Sequence, residues 1–144
     1  MDTSLHFVIS SDFAEGREVQ DRILEELGRY HYYPDAMFAI RLALEEAIIN
    51  AIKHGNKFDR SKKVRVEATV TADQAEISIE DEGPGFDRQQ VPDPTADENL
   101  HRLHGRGILL IEAYMNEVQW QRGGRRLIMI RRNTPGCEGQ TGTA

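Results

Sequence analysis

The sequence predicts an α+β domain: a two-layer sandwich in which a mixed, mainly antiparallel sheet is covered by helices on one face. Three observations lead there. Apolar residues recur at three- and four-residue steps over residues 13–30 and again over about 35–54. They alternate singly over 64–70 and 75–79, the period of a half-buried strand. The elements then follow in the order strand, two helices, two strands, loop, helix, two strands, which buries its apolar faces most simply as helices laid on one side of a sheet.

The first strand is LHFVI at residues 5–9. Ser10, Ser11 and Asp12 follow it, and their side-chain oxygens suit the unpaired N–H groups at a helix start. Phe13, Val19, Ile23, Leu27 and Tyr30 form the packed face of the first helix among Glu and Arg. After the turn signal HYYPD, a second helix is expected from Asp35 to His54, with Gly55 as its C-terminal cap. Val64, Val66, Ala68 and Val70 alternate with Arg65, Glu67, Thr69 and Thr71, and a short turn at Ala72–Gln74 leads into Ala75, Ile77 and Ile79, so the pair reads as an antiparallel hairpin. Residues 84–104 hold Pro84, Pro92 and Pro94 and show no period; a loop of that length in a compact domain is more often functional than accidental. Ile108–Met115 return to helical spacing, and Val118 and Trp120 pair across Gly123–Gly124 with Leu127–Ile130 as a second hairpin. Residues 1–132 thus read as one domain and 133–144 as a flexible tail.

Composition narrows the function classes. At 144 residues, with 39% hydrophobic and 29% charged residues, the chain reads as one globular domain. No stretch approaches the ~18 uninterrupted apolar residues of a spanning helix, and the N-terminus lacks the basic start and apolar core of a secretory signal, so a cytoplasmic location is expected. The single cysteine, Cys137, excludes an internal disulfide and a cysteine-based metal site. A net charge of −6 disfavours direct binding to nucleic acid or anionic membrane, which leaves proteins and small molecules as partners.

Three segments break the packing rules. In LALEEAIINAIKHG at residues 42–55, apolar residues cover almost the whole helix, and the exceptions Glu46, Asn50 and His54 follow at steps of four on one stripe. That stripe faces water, a cavity or a ligand; a solvated edge with Asn50 satisfied by nearby backbone is the plain alternative. DEGPGF at 81–86 leaves a strand with a carboxylate, Asp81, beside glycines that admit close approach of a ligand, although Gly83, Pro84 and Gly85 also suit a simple chain reversal. HGRGILLIEAYM at 104–115 places Gly105 and Gly107 directly before a helix, where backbone N–H groups bind phosphate, or where two glycines make a hinge.

Taken in this order on these elements, the three segments resemble the Bergerat-type ATP site shared by gyrase, histidine kinases and the serine kinases that act as anti-sigma factors. The likeness covers about residues 5–131 and is strongest to the small anti-sigma kinases. It implies ATP with Mg2+, partner switching between a sigma factor or related regulator and an antagonist of the sulfate-transporter/anti-sigma-antagonist (STAS) type, and a homodimer. It also implies roles: Asn50 holds magnesium, Glu46 is the catalytic base, Asp81 accepts the adenine amine, and Gly83 and Gly85 shape the adenine side. Gly105 and Gly107 cradle phosphates below a lid formed by the preceding loop, and Lys53 and His54 approach the nucleotide. Arg102 and Arg106 are both candidates for the arginine that reaches the terminal phosphate. One departure stands out: near the start of the last strand, where the family commonly has a small residue, often threonine, this chain has Gly124, Arg125 and Arg126. The expected function is therefore a serine/threonine-protein kinase that also sequesters its partner, with an ATP-gated binding module lacking kinase activity as the alternative.

Overall fold

A computed structural model of the chain describes residues 2–84 and 110–136. Strand β1 (Asp2–Ser10) precedes helices α1 (Phe13–Arg29) and α2 (Pro34–Ile49). Helix α2 runs on into a π-helical turn, Asn50–Gly55, before β2 (Lys63–Thr71) and β3 (Gln74–Asp81). Residues 110–114 are helical, and β4 (Glu117–Gln121) and β5 (Arg126–Arg132) close the order through a 3-10 turn at Arg122–Gly124. The described strands form one sheet in the order β1-β2-β3-β5-β4, with all four pairings antiparallel. The α+β sandwich read from the sequence is the observed architecture.

Register follows the alternation. Phe7, Val66, Ile79, Leu127 and Trp120 lie in one row across all five strands, and Leu5, Ala68, Ile77, Met129 and Val118 in the next row on the same face. Helices α1 and α2 pack on that face. Val19, Ile23 and Leu27 of α1 and Ala36, Ile40, Ala43, Leu44, Ala47 and Ile48 of α2 are buried in one cluster with the strands' apolar residues. Removing each such side chain from water contributes roughly 1.5–3 kcal/mol for Val, Leu or Ile. The opposite face of the sheet carries the polar set; there His6 Nδ1 lies 3.1 Å from Glu67 Oε2, and Arg126 lies 3.9 Å from Glu67.

Two residues depart from the periodic reading. Phe13, expected on the packed face of α1, is 45% exposed and meets Phe58 edge-on at 5.5 Å between ring centroids. The N-cap position fixes this: Asp12 accepts from the Ala14 N–H, so Phe13 begins the helix at its rim, before the face turns inward. Arg131 falls on the apolar face of β5 and is fully buried. Its guanidinium donates to the carbonyls of Tyr114 (2.8 Å), Thr134 (3.5 Å) and Gly136, so the buried charge is met by main-chain acceptors, one of them at the end of the 110–114 helix.

Residues 133–136, the start of the stretch expected to be loose, are bonded back to the sheet and α2. Asn133 accepts from the Tyr33 N–H at 2.8 Å and donates to the Ala72 carbonyl at 3.1 Å, and the Gly136 N–H donates to Asp35. Residues 137–144, Cys137 among them, lie outside the described residues, as do most of the 84–104 loop and the start of the helix expected from Ile108.

Candidate functional site

The site is built where the end of α2 meets the end of β3. The helix expected to run to His54 changes form on the way: the α-helix ends at Ile49, and the next six residues form a wider turn, closed by the Asn56 N–H donating to the Ala51 carbonyl at 2.8 Å. Such π-turns occur mostly as short segments and frequently at functional sites. Gly55 is not the left-handed cap that the sequence suggested. The chain leaves the helix through Asn56 in right-handed geometry, and left-handed conformations come later, at Lys57 and Phe58.

Gly55 is required by contact instead. A Cβ there would overlap the carboxylate of Asp81, and a Cβ on Gly83 would overlap the Gly55 carbonyl. The two motif segments, KHG and DEG, therefore touch through their glycines, and any larger side chain would push them apart. Asp81 is held from three sides in this junction. Its N–H donates to the Arg125 carbonyl at 3.0 Å, its Oδ1 accepts the Gly83 N–H at 2.8 Å, and its carboxylate lies against Gly55. Burial pushes its carboxyl up to about 6, against the smaller opposing pulls of the Gly83 N–H and of Arg125 and Lys62.

Glu46, Asn50 and His54 are half-buried along the side of α2 and the π-turn, and so is Lys53. The stripe thus lies between core and solvent. Burial raises the carboxyl of Glu46 above the ordinary glutamate value, and the neighbouring Glu45, which is exposed, adds to the rise. Asn50 Nδ2 is buried and has no hydrogen-bond partner among the described residues. An amide left so is costly for the fold by roughly 1–3 kcal/mol, which argues against the alternative of an asparagine satisfied by nearby backbone.

The departure at the last strand also becomes legible. Arg125 reaches Asp81 through its main-chain carbonyl while its side chain is exposed, and Arg126 turns to Glu67 on the open face of the sheet. Gly85, Arg102, Gly105, Arg106 and Gly107 lie outside the described residues. The sequence reading missed Asn56, which is 1% exposed and bonded to three separate segments. An asparagine directly after a helix-ending glycine was the available signal, but the same residue type commonly serves a solvent-exposed turn.

At the end of β3, then, a half-buried carboxylate is pressed against the glycine that ends a partly polar helix, in a domain of the α+β sandwich class. The family model for the histidine kinase-like ATPase domain matches residues 9–131, and the chain belongs to that family. Among similar proteins, the serine-protein kinase RsbW of Listeria monocytogenes is 31% identical over 91 residues, 59% of this chain and 58% of that protein. The anti-sigma F factor of Clostridium perfringens is 35% identical over 83 residues, 56% of this chain and 59% of that protein. RsbW of Listeria innocua is 32% identical over 91 residues, with the same shares covered. The chain thus spans a little under three fifths of the length of the curated relatives it matches. Among the described residues, no helix is long and apolar enough to cross a membrane.

Proposed function

We propose that this protein binds ATP with magnesium, holds a sigma factor or related regulator, and phosphorylates a serine on an antagonist of the STAS type. The observation that carries this reading is the junction itself: the half-buried carboxylate of Asp81 lies against the end of the helix that bears Glu46 and Asn50, whose Nδ2 has no partner among the described residues. The names of the similar proteins support the kinase and anti-sigma parts of it.

In this reading Asp81 accepts a hydrogen bond from the exocyclic amine of adenine, and the Gly55–Gly83 contact keeps that oxygen at a fixed place. Asn50 suits a magnesium ion, because an amide is a hard oxygen donor and its group makes no bond through Nδ2 that the fold would lose. When bound, magnesium supplies neutralisation of the phosphate charge. Glu46 takes the proton of the attacking serine hydroxyl, and its raised pKa makes it a better acceptor than an exposed glutamate. Phosphoryl transfer is chiefly positioning and charge stabilisation, so one base and fixed binding groups are sufficient protein machinery.

The test is incubation with ATP, magnesium and a STAS-type antagonist, read by mass spectrometry for phosphoserine. Phosphoserine on the antagonist is the expected result. If ATP binds and changes the hold on the sigma partner but no phosphate is transferred, the chain is an ATP-gated binding module. If ATP does not bind, both readings fall.

A further inference from the structure

We propose that Asn56 is a positioning residue, which sets the adenine-accepting carboxylate of Asp81 relative to the helix end carrying Asn50; this inference rests on the nucleotide reading above. The side chain of Asn56 is buried at the meeting point of four segments. Its Nδ2 donates to Ser11 Oγ at 3.0 Å, in the β1–α1 connection, and to the Lys63 carbonyl at 3.0 Å, at the start of β2. Its Oδ1 accepts the Glu82 N–H at 2.8 Å, in the turn after β3. Its own N–H closes the π-turn on the Ala51 carbonyl. Both amide protons and the amide oxygen are thus in use, each toward a different segment.

The Glu82 contact reaches the site. Glu82 stands between Asp81 and Gly83, and the Gly83 N–H is the donor that orients the Asp81 carboxylate. Glu82 is further tied by its side chain, whose Oε1 accepts the Lys63 N–H at 2.5 Å, to the same strand start that Asn56 holds. Asn56 therefore joins the turn bearing the carboxylate to the helix end, with the Gly55–Gly83 backbone contact directly beside it. No other residue type makes all three side-chain bonds at once. Aspartate offers oxygens where two donors are needed, serine does not span the distances, and glutamine is a methylene too long for a position 1% exposed.

The Ser11 arm separates positioning from general support. Ser11 is 3% exposed, donates to the Lys62 carbonyl at 2.9 Å and accepts from Asn56, and neither of these bonds goes to the Asp81–Gly83 turn. Dissociation constants for ATP and GTP, measured by calorimetry beside melting temperatures, should therefore diverge between variants. Asn56→Ala should lower the melting temperature and also reduce the preference for ATP over GTP by about ten- to a hundredfold, the scale of a misplaced binding group. Ser11→Ala should lower the melting temperature and leave the preference within about twofold of wild type, within the scatter of an unaffected site. Asn56→Asp keeps the volume and the acceptor for the Glu82 N–H while losing both donations, so it should be less stable yet keep the preference; it also serves where Asn56→Ala does not fold. Loss of preference in Asn56→Asp, or an unchanged preference in Asn56→Ala, overturns the proposal. A wild type that binds ATP no better than GTP overturns the adenine reading beneath it.

Discussion

Replacing Asp81 by asparagine should stabilise this protein while weakening its hold on ATP, and the two effects arise from one burial. The Asp81 carboxyl is moved from its ordinary 3.8 to about 6, chiefly by desolvation. At 1.36 kcal/mol for each tenfold change, the ionised form is penalised by about 3 kcal/mol at most, and partial solvent contact reduces this to roughly 1–3 kcal/mol. Because the folded state holds this proton more tightly than the unfolded chain, wild-type stability falls as pH rises from about 4 to about 6 and levels off above. The amide introduced by Asp81→Asn would have the same shape as the carboxylate and still accept the Gly83 N–H, but carry no charge. Scanning calorimetry should find the variant melting about 3–10 °C higher at pH 7.5, and higher by only about a third as much at pH 4.5, where the folded carboxyl is neutral but the unfolded one is still mostly ionised. Titration calorimetry at pH 7.5 should find ATP bound about 10- to 100-fold more weakly, the loss of one charge-assisted acceptor. An equal melting shift at both pH values, or a lower melting temperature at pH 7.5, refutes the burial argument; unchanged ATP affinity refutes the adenine role.

Asn50→Ala should abolish magnesium-dependent nucleotide binding without lowering the melting temperature, since Nδ2 makes no hydrogen bond among the described residues; a marked loss of stability would show the amide to be structural. Glu46→Gln should bind ATP within about twofold of wild type while single-turnover phosphoryl transfer falls about 10²- to 10⁴-fold, the range for a lost general base. Transfer at the wild-type rate would remove Glu46 from that role. Gly83→Ala forces a Cβ into the Gly55 carbonyl and should cost about 1–3 kcal/mol in urea unfolding together with a weaker ATP affinity. A variant as stable as wild type would mean that the two segments are free to part.

Local pattern carried most of the architecture. The alternation through Val64–Val70 and Ala75–Ile79 determined both strands and their inward faces, because a strand's side chains change sides at every residue and only one register buries all the apolar ones. The spacing of Val19, Ile23 and Leu27, and the nearly all-apolar α2 with Glu46 and Asn50 as its exceptions, likewise follow from the 3.6-residue period. What the period cannot encode is which distant segments meet. The place of β5 between β3 and β4, the fully buried Arg131 and its carbonyl partners, and the exposed Phe13 were decided by packing. In the site, residue types at Glu46, Asn50 and Asp81 were legible because charged or amide groups on otherwise apolar elements are costly without a purpose. The π-turn, the glycine-to-glycine contact and the three bonds of Asn56 were not, since each depends on a partner from elsewhere in the chain: Gly55 has the sequence signature of a helix cap, and only the approach of Asp81 and Gly83 across the fold makes it a point of contact.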